Sequence, residues 1–492
     1  MRGGAILMLD AGKCFLRHRW SHLALLALVK GAGPAVQVPV LRDVALNVLA
    51  RRLNTSYDET EPDTEKMNHL RWLGPHLKPF MHRLVHERPA AARAVLRFIG
   101  TWIEDMYRRT DVQQAGGVTP CTVVIEPTDR CNLFCPGCYA KSSGDGSDLG
   151  YDRLVEIVEQ VVGMGVTLIT VSGGEPFLRE KADHTLTRLA ERFSDRAFLV
   201  YTNGTLIDDE VAARLGRVGS IFPAISVEGF EHETDARRGD GIYRRNRQAR
   251  RRLAREGVMT GFSATITREN ADAICTDRFI EQRIEEGDLF GWFFLMQPIG
   301  RAPRADLMAT PRQRAKLRET VYRWREENRP IFLGDFWNDG HLVGGCIAGG
   351  RYYFHIYANG DISPCVFAPV ACGNLFDITG GRSPYKSLGD FVRNHPTFVA
   401  FREEQRKVTD RARPCLLVDH PEAFRRVCRT AGCRPARNMP PGYLDGDIAR
   451  AIDRAADDWR DWTTHLPPLP AERASRPCRP VGAASLDRIG RY

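Results

Sequence analysis

An α/β fold with a parallel sheet is the class predicted for residues 118–304, in the form of a partial, six-unit version of the eightfold β/α barrel. Three observations predict it. Six short runs in this span are rich in β-branched and aromatic residues. The stretches between them place apolar residues at three- and four-residue intervals, the helical period. Strand-like and helix-like segments alternate throughout, which is the order of repeated β/α units. A helical region is expected before the barrel, over 1–117. A linker helix and a small Cys-rich domain are expected after it, over 305–440, and a helix with a tail over 441–492.

The elements follow in order. DVALNVLARRL, DTEKMNHLRWL and AAARAVLRFIGTWIEDMYRR carry the helical period in the first region. CTVVIEP is the first strand, followed by a cysteine loop. YDRLVEIVEQVVGMG reads as an amphipathic helix ending in glycine. VTLITVS is the second strand and runs into GGEPF. AFLVYTNGT is the third, DDEVAARLGRVG its helix, and SIFPAISVEG the fourth. The next stretch, YRRNRQARRRLAREG, holds seven arginines. It reads as a helix with a solvated basic face whose aliphatic stems cover apolar surface. VMTGFSATITREN is the fifth strand, ADAICTDRFIEQRIEEG one further helix, and LFGWFFLMQPIG the sixth strand. Residues 305–330 read as a connecting helix. The Gly-, Cys- and Pro-rich stretch that follows shows one hairpin, RYYFHIYANGDISPCVF, turning at Asn359-Gly360. DGDIARAIDRAADDWRDW is a charged helix, with a Pro-rich end beyond it.

A length of 492 residues implies several domains. The net charge of +9 is diluted over a long chain with 61 acidic residues, so nucleic-acid binding is not the expectation. The most apolar early run, LALLALVKGAG, is broken by Lys30 and two glycines and falls short of the ~20 residues of a membrane span. With no secretion signal apparent, a cytoplasmic enzyme is expected. The 13 cysteines are odd in number. In a reducing compartment, clusters of them point to metal or Fe–S ligation rather than to disulfides.

Cys131, Cys135 and Cys138 form C-x3-C-x2-C in the loop after the first strand. A structural zinc site needs a fourth Cys or His, and no histidine occurs between residues 110 and 183. A redox CxxC uses Cys135 and Cys138 but leaves Cys131 without a role. A four-iron cluster on three thiolates leaves one iron open for another ligand. The strand-end location fits, because active sites of such sheets lie at the C-terminal ends of the strands.

CNLFCPGC after the first strand, GGEP after the second, TNG after the third and SVEG after the fourth together resemble the radical S-adenosylmethionine (SAM) superfamily, over residues 118–302. The resemblance implies a radical SAM barrel with a [4Fe–4S] cluster on Cys131, Cys135 and Cys138. It implies that SAM chelates the open iron through its amine and carboxylate. It implies reductive cleavage to a 5′-deoxyadenosyl radical that abstracts hydrogen from substrate, and an electron donor such as a flavodoxin or ferredoxin. Gly173 and Gly174 are expected to let the backbone approach the ligand. Glu175 is expected to accept hydrogen bonds from the methionine ammonium, and Pro176 to fix the turn. Thr202 and Asn203 are expected at the mouth of the site. Ser226 and Glu228 are expected on one face of the fourth strand, toward methionine or ribose. Tyr139 and MQPIGR (296–301) are expected near the adenine, and Thr265 is a further candidate.

Cys346 and Cys365, in a C-x13-G-x4-C spacing around the hairpin, resemble the opening of the SPASM and twitch auxiliary-cluster modules. The remainder departs from that pattern. One auxiliary cluster is expected, on Cys346, Cys365 and Cys415. Its fourth ligand is Cys372, Cys428 or Cys433, or is left open, and a zinc site on the same cysteines is the alternative. His341 and His420, in DFWNDGH and DHPE, are candidates for substrate binding or proton transfer. The helical N-terminus lacks the strands of the winged-helix domain that often binds peptide substrates in such enzymes. The expected substrate is therefore a small or lipid-like molecule, with a ribosomal peptide as the alternative. A non-catalytic Fe–S or zinc protein that binds nucleic acid is the competing class.

Overall fold

The six predicted strands lie side by side. The computed structural model describes residues 77–114, 117–142, 144–430 and 433–466. β1 (Thr122–Ile125), β2 (Leu168–Val171), β3 (Ala197–Thr202), β4 (Ile221–Val227), β5 (Gly261–Ile266) and β6 (Phe290–Leu295) are parallel and neighbours in sequence order. Both faces of these strands are covered, which is why they read as continuous apolar runs rather than alternating ones.

The connecting helices explain the covering. α1 (Pro89–Gln114) precedes the barrel, and α2 (Tyr151–Gly163) follows β1. Leu154, Ile157, Val158 and Val161 of α2 are buried, spaced three and four apart on one face. They pack on Val123, Ile125 and Ile169 of the sheet. α3 (Phe177–Asp183) and α4 (Thr185–Arg192) follow β2. α5 (Asp209–Val218) follows β3, and its N-terminus is capped by Asp208 Oδ1 accepting from the Val211 N–H at 2.9 Å. α6 (Glu231–Arg238) and the Arg-rich α7 (Ile242–Arg255) follow β4. Arg244, Arg245, Arg251 and Arg255 face solvent, as expected for a basic surface. Arg250 does not: it is buried and meets Asp288 at 3.1 Å.

The single helix expected over ADAICTDRFIEQRIEEG is two, α8 (Ala271–Ile274) and α9 (Asp277–Glu285). Thr276 caps the second by accepting from the Phe279 N–H, which stops the first. α10 (Pro311–Glu326) is the connecting helix and starts at a Thr310–Gln313 capping box.

The sheet does not stop at six strands. β7 (Phe332–Asp335), a four-residue run missed in the Gly/Cys/Pro-rich sequence, adds to β6 in parallel. At the opposite edge, β8 (His355–Ile356) pairs parallel with β1 and turns through the expected hairpin into β9 (Asp361–Ser363). β10 (Val370–Ala371) leaves the sheet, and β11 (Gly373–Asn374) closes on β9 to complete ten strands. α11 (Leu375–Thr379), α12 (Leu388–Asn394), α13 (Pro396–Lys407) and α14 (Pro421–Thr430) follow. β12 (Arg434–Pro435) pairs with β10, and α15 (Asp447–Thr463) is the charged helix.

In the N-terminal region residues 77–87 and α1 are helical. Leu84, Ala91 and Val95 pack on Ala197, Phe222 and Phe290, near the first residues of β3, β4 and β6. The N-terminal helices thus cover the end of the barrel opposite the strand C-termini. DVALNVLARRL, DTEKMNHLRWL and the Pro-rich end lie outside the described residues.

One buried carboxylate joins the barrel to the C-terminal domain. Glu126, directly after β1, is 0% exposed. Its Oε1 stands 3.2 Å from His355 Nε2 of β8, and its Oε2 accepts from Arg437 at 2.8 Å. Arg437 also meets Asp129 at 2.6 Å. Burial works against ionisation of Glu126, but the His355 and Arg437 contacts outweigh it and hold the carboxyl below its ordinary range. Removing a partner strands a buried charge. Arg437→Ala is expected to cost roughly 3 kcal/mol, read as a lower urea midpoint. An unchanged midpoint would contradict this role.

Candidate functional site

A cavity of about 270 Å³ opens at the C-terminal ends of the strands. Cys131, Cys135 and Cys138 all line it, and among the described residues no other cysteine and no histidine does. The fit to a three-thiolate cluster is good on the surrounding chemistry as well. Arg238 lies within electrostatic reach of Cys135 and Cys138, which offsets negative charge there. The Leu133 N–H donates to Cys131 Sγ at 3.4 Å, and Asn203 Nδ2 stands 3.9 Å from the same sulfur. Burial pushes the Cys131 thiol up to about 12, so this sulfur needs a bound cation to ionise. Among the described residues no three His, Cys, Asp or Glu side chains close on one point as ligands of a single ion do. The thiolates of a four-iron cluster sit on separate irons and ask for a wider cradle.

The cysteine loop is held on both flanks by backbone bonds. On one side the Gly174 N–H donates to Thr128 O at 2.9 Å and the Glu175 N–H to Arg130 O at 2.8 Å. A Cβ on Gly174 would stand 1.9 Å from Arg130 O, and one on Gly173, at φ +102°, 2.5 Å from Thr128 O. The two glycines are therefore needed for contact with the cysteine loop itself, in addition to any ligand approach expected of them. On the other side the Arg301 N–H donates to Cys138 O at 2.9 Å, and the Gly137 N–H to Arg301 O at 3.0 Å. A Cβ on Gly300 would meet Cys138 O at 2.1 Å. Arg301 also lies over the Phe134 ring at 3.5 Å. MQPIGR thus braces the loop, with Met296 and Gln297 facing the cavity.

Most of the other expected residues line the same space: Tyr139, Gly173, Gly174, Glu175, Thr202, Asn203, Ser226 and Thr265. Tyr139 is anchored through its hydroxyl to Ser172, and its ring lies 5.5 Å from that of Phe367. Glu175 is 1% exposed, and its oxygens already serve the protein. It accepts from the Phe177 N–H at 3.1 Å, Thr202 Oγ1 at 2.7 Å and the Asn203 N–H at 2.7 Å. An ammonium would have to share this carboxylate with the turn that it holds.

Two expected residues lie outside the cavity lining. Pro176 occupies the N-cap of α3, in the turn itself. Glu228 does not line the cavity either. It lies one residue past the end of β4, where side-chain alternation no longer governs, and its carboxylate meets Arg237 at 2.7 Å and Arg238 at 2.5 Å. The two arginines face the cavity in its place. No spacing signal marked them; only their position after SVEG could have done so. His341 and His420 are also away from the cavity, bonded to Asn338 O at 3.1 Å and Arg413 O at 2.9 Å.

The other cysteines form two groups. Cys346 and Cys415 share a side-chain hydrogen bond, and Cys365 lies within electrostatic reach of Cys346. Asp419 supports this group: its Oδ2 accepts from the Cys415 N–H at 3.0 Å, while Arg314 meets Oδ1 at 2.6 Å. Cys433 hydrogen-bonds to Cys372 and Cys428 instead, and Thr397 Oγ1 stands 3.5 Å from its sulfur. The β10–β12 register pairs Ala371 with Arg434, which sets Cys372 opposite Cys433. The three thiols considered as fourth ligands therefore associate with one another.

Burial pushes the Glu175 carboxyl up to about 7 from an ordinary 4.5, against the pull of its three hydrogen bonds. The folded value is the higher one, so this stability is complete below about pH 4.5 and is lost as pH rises through about 7. Glu175→Gln is expected to remove up to about 3 kcal/mol of this pH dependence from the cluster-free protein, read as urea midpoints at pH 5 and pH 8. Equal slopes in the two proteins would contradict it.

Comparison with known proteins agrees with this geometry. The radical SAM superfamily profile matches residues 125–276. Mycofactocin maturase MftC of Mycolicibacterium smegmatis (strain ATCC 700084 / mc(2)155) is 26% identical over 375 residues, 72% of this chain and 88% of the relative. Sporulation killing factor maturation protein SkfB of Bacillus subtilis (strain 168) is 23% identical over 272 residues, 52% of this chain. Fe-coproporphyrin III synthase of Methanosarcina barkeri (strain Fusaro / DSM 804) is 32% identical over 151 residues, 30% of this chain. The chain spans 63% and 37% of the last two relatives' lengths. Residues 125–276 of this chain are thus a radical SAM domain, the kind of domain that works with a [4Fe–4S] cluster and S-adenosylmethionine.

Proposed function

We propose that this enzyme matures a ribosomally made peptide by radical hydrogen abstraction. The observation that carries the reading is one cavity bordered by both cysteine systems. Cys131, Cys135 and Cys138 form one wall; Ile347 and Val366, next in sequence to Cys346 and Cys365, form another. A substrate group held there lies between a radical source and a second redox centre.

In this reading Cys131, Cys135 and Cys138 hold the SAM-binding cluster, and Cys346, Cys365 and Cys415 hold one auxiliary [4Fe–4S] cluster. The bound groups supply one-electron chemistry and a 5′-deoxyadenosyl radical. The chain's own residues position and shield. Asn203 and Ser226 offer polar contacts at the strand ends, Gly173 and Gly174 bring backbone to the cavity edge, and Tyr139 presents its ring there. Glu228 holds Arg237 and Arg238 toward the cavity, where they balance thiolate charge. Leu199, Trp292 and Phe294 line the inner wall with apolar surface that excludes water from a radical. A flavodoxin or ferredoxin supplies the electron. Oxygen-sensitive clusters of this kind suit a reducing cytoplasm, and among the described residues no helix is long and apolar enough to cross a membrane.

The peptide reading is supported by the relatives named for maturation, which match over the longer part of this chain. Maturation is the finishing of a precursor already made, and a killing factor that needs it is most simply a gene product. The small-molecule reading is the second one. It is favoured by the synthase relative, whose match covers 30% of this chain.

Anaerobic reconstitution followed by dithionite and SAM is expected to release 5′-deoxyadenosine, with at least a hundredfold loss in Cys135→Ala. Stoichiometric zinc with no SAM cleavage would contradict the enzyme assignment of these thiols. Iron near eight per chain is expected for two clusters, about four would remove the auxiliary one, and about twelve would assign one to Cys372, Cys428 and Cys433. For the substrate, short reading frames beside the gene supply candidate peptides. A mass change in one of them that depends on SAM is expected. Conversion of Fe-coproporphyrin III with no change in any peptide would sink the peptide reading.

A further inference from the structure

The geometry points to Tyr353 as the residue that sets the reduction potential of the auxiliary cluster, by donating its hydroxyl to Cys365 Sγ at the wall of the substrate cavity. The inference rests on the reading that Cys346, Cys365 and Cys415 hold that cluster.

The contact follows from hairpin register. Gly360, at φ +82°, makes the turn, and the Gly360 N–H donates to Tyr357 O at 2.9 Å. The arms then pair His355 with Ser363 and Ile356 with Ile362. Carried two residues further, this register sets Tyr353 opposite Cys365. The hydroxyl oxygen stands 2.8 Å from Cys365 Sγ. A cluster ligand is a thiolate, which has no proton to give, so the tyrosine is the donor. The Phe367 N–H adds a second bond to the same sulfur at 3.4 Å.

Position adds to chemistry. Tyr353 is 2% exposed and lines the cavity together with Phe336 and Phe367. Its ring lies 6.3 Å from that of Phe336, edge to face, which fixes the ring and so aims the hydroxyl. A hydrogen bond to a cluster sulfur favours the more negative, reduced state and raises the potential. The same side chain therefore touches both the space for substrate and the auxiliary cluster's ligand. It acts through Cys365 and is a positioning residue.

Tyr353→Phe keeps the ring and removes the donor. Potentiometric titration followed by electron paramagnetic resonance is expected to show a lower auxiliary midpoint and altered auxiliary g-values, with the SAM-cluster signal unchanged. Replacing Tyr353 by 3-fluorotyrosine, a stronger donor of nearly the same shape, is expected to shift the midpoint upward, and serves equally if the phenylalanine protein loses iron. Equal auxiliary midpoints in wild type and a variant that retains its iron would overturn this inference alone. Wild-type protein with about four irons and one cluster signal would overturn the auxiliary-cluster reading, and the inference with it.

Discussion

A carboxylate that never meets water holds this molecule together. Glu126 leaves the end of β1 and finds two partners, His355 on the hairpin arm beside β1 and the Arg437 guanidinium 311 residues later in sequence. Taking such a group out of water costs several kcal/mol, and only fixed partners offset it. Those partners cannot be in place unless β8 lies on β1 and the segment around Arg437 lies under the cysteine loop. The Gly174 and Glu175 amides then bind the loop carbonyls from the other side. The loop that carries Cys131, Cys135 and Cys138 is thus set by elements from three parts of the chain, none of which could place it alone.

The same constraint explains why the C-terminal domain extends the barrel sheet instead of hanging from a linker. Once β8 has added to β1, the hairpin arms carry Tyr353 and Val366, the neighbour of Cys365, up to the cavity. The aromatic side chains at that seam, Tyr139, Phe294, Phe336 and Phe367, pack edge and face within about 6 Å of one another. They line the cavity between the barrel cysteines and the hairpin.

Much of this was legible in the sequence, because its signals are local. Cysteine spacing, GGEP and the Asn-Gly turn each state a geometry within a few residues, and the β/α alternation states where those geometries meet. Illegible features depend on residues far apart. Nothing near Glu126 announces Arg437, and nothing near Cys131 announces that Asn438 Nδ2 will donate to Tyr139 O at 3.1 Å. β7 was missed because four residues in a Gly-rich stretch carry little periodicity. Glu228 was placed on a strand face by a rule that holds only to Val227. The two arginines it holds lie on the last turn of α6, and their pairing with Glu228 depends on where that helix packs rather than on any local spacing. The grouping of Cys372, Cys428 and Cys433 followed from a two-residue ladder that no pattern predicts.

The strut at Asn438 has a consequence for how the enzyme is made. Its side chain holds Tyr139 and its carbonyl accepts from the Gly300 N–H at 2.9 Å, so the Cys138 flank of the cysteine loop waits for it. A ribosome adds about 5–20 residues per second. Cys138 therefore emerges some tens of seconds before the residue that completes its surroundings. During that interval Gly174 and Glu175 can hold one flank of the loop while the Cys138 flank still lacks its strut. The order of synthesis thus delivers the last brace of the cysteine loop only once residue 438 has been made.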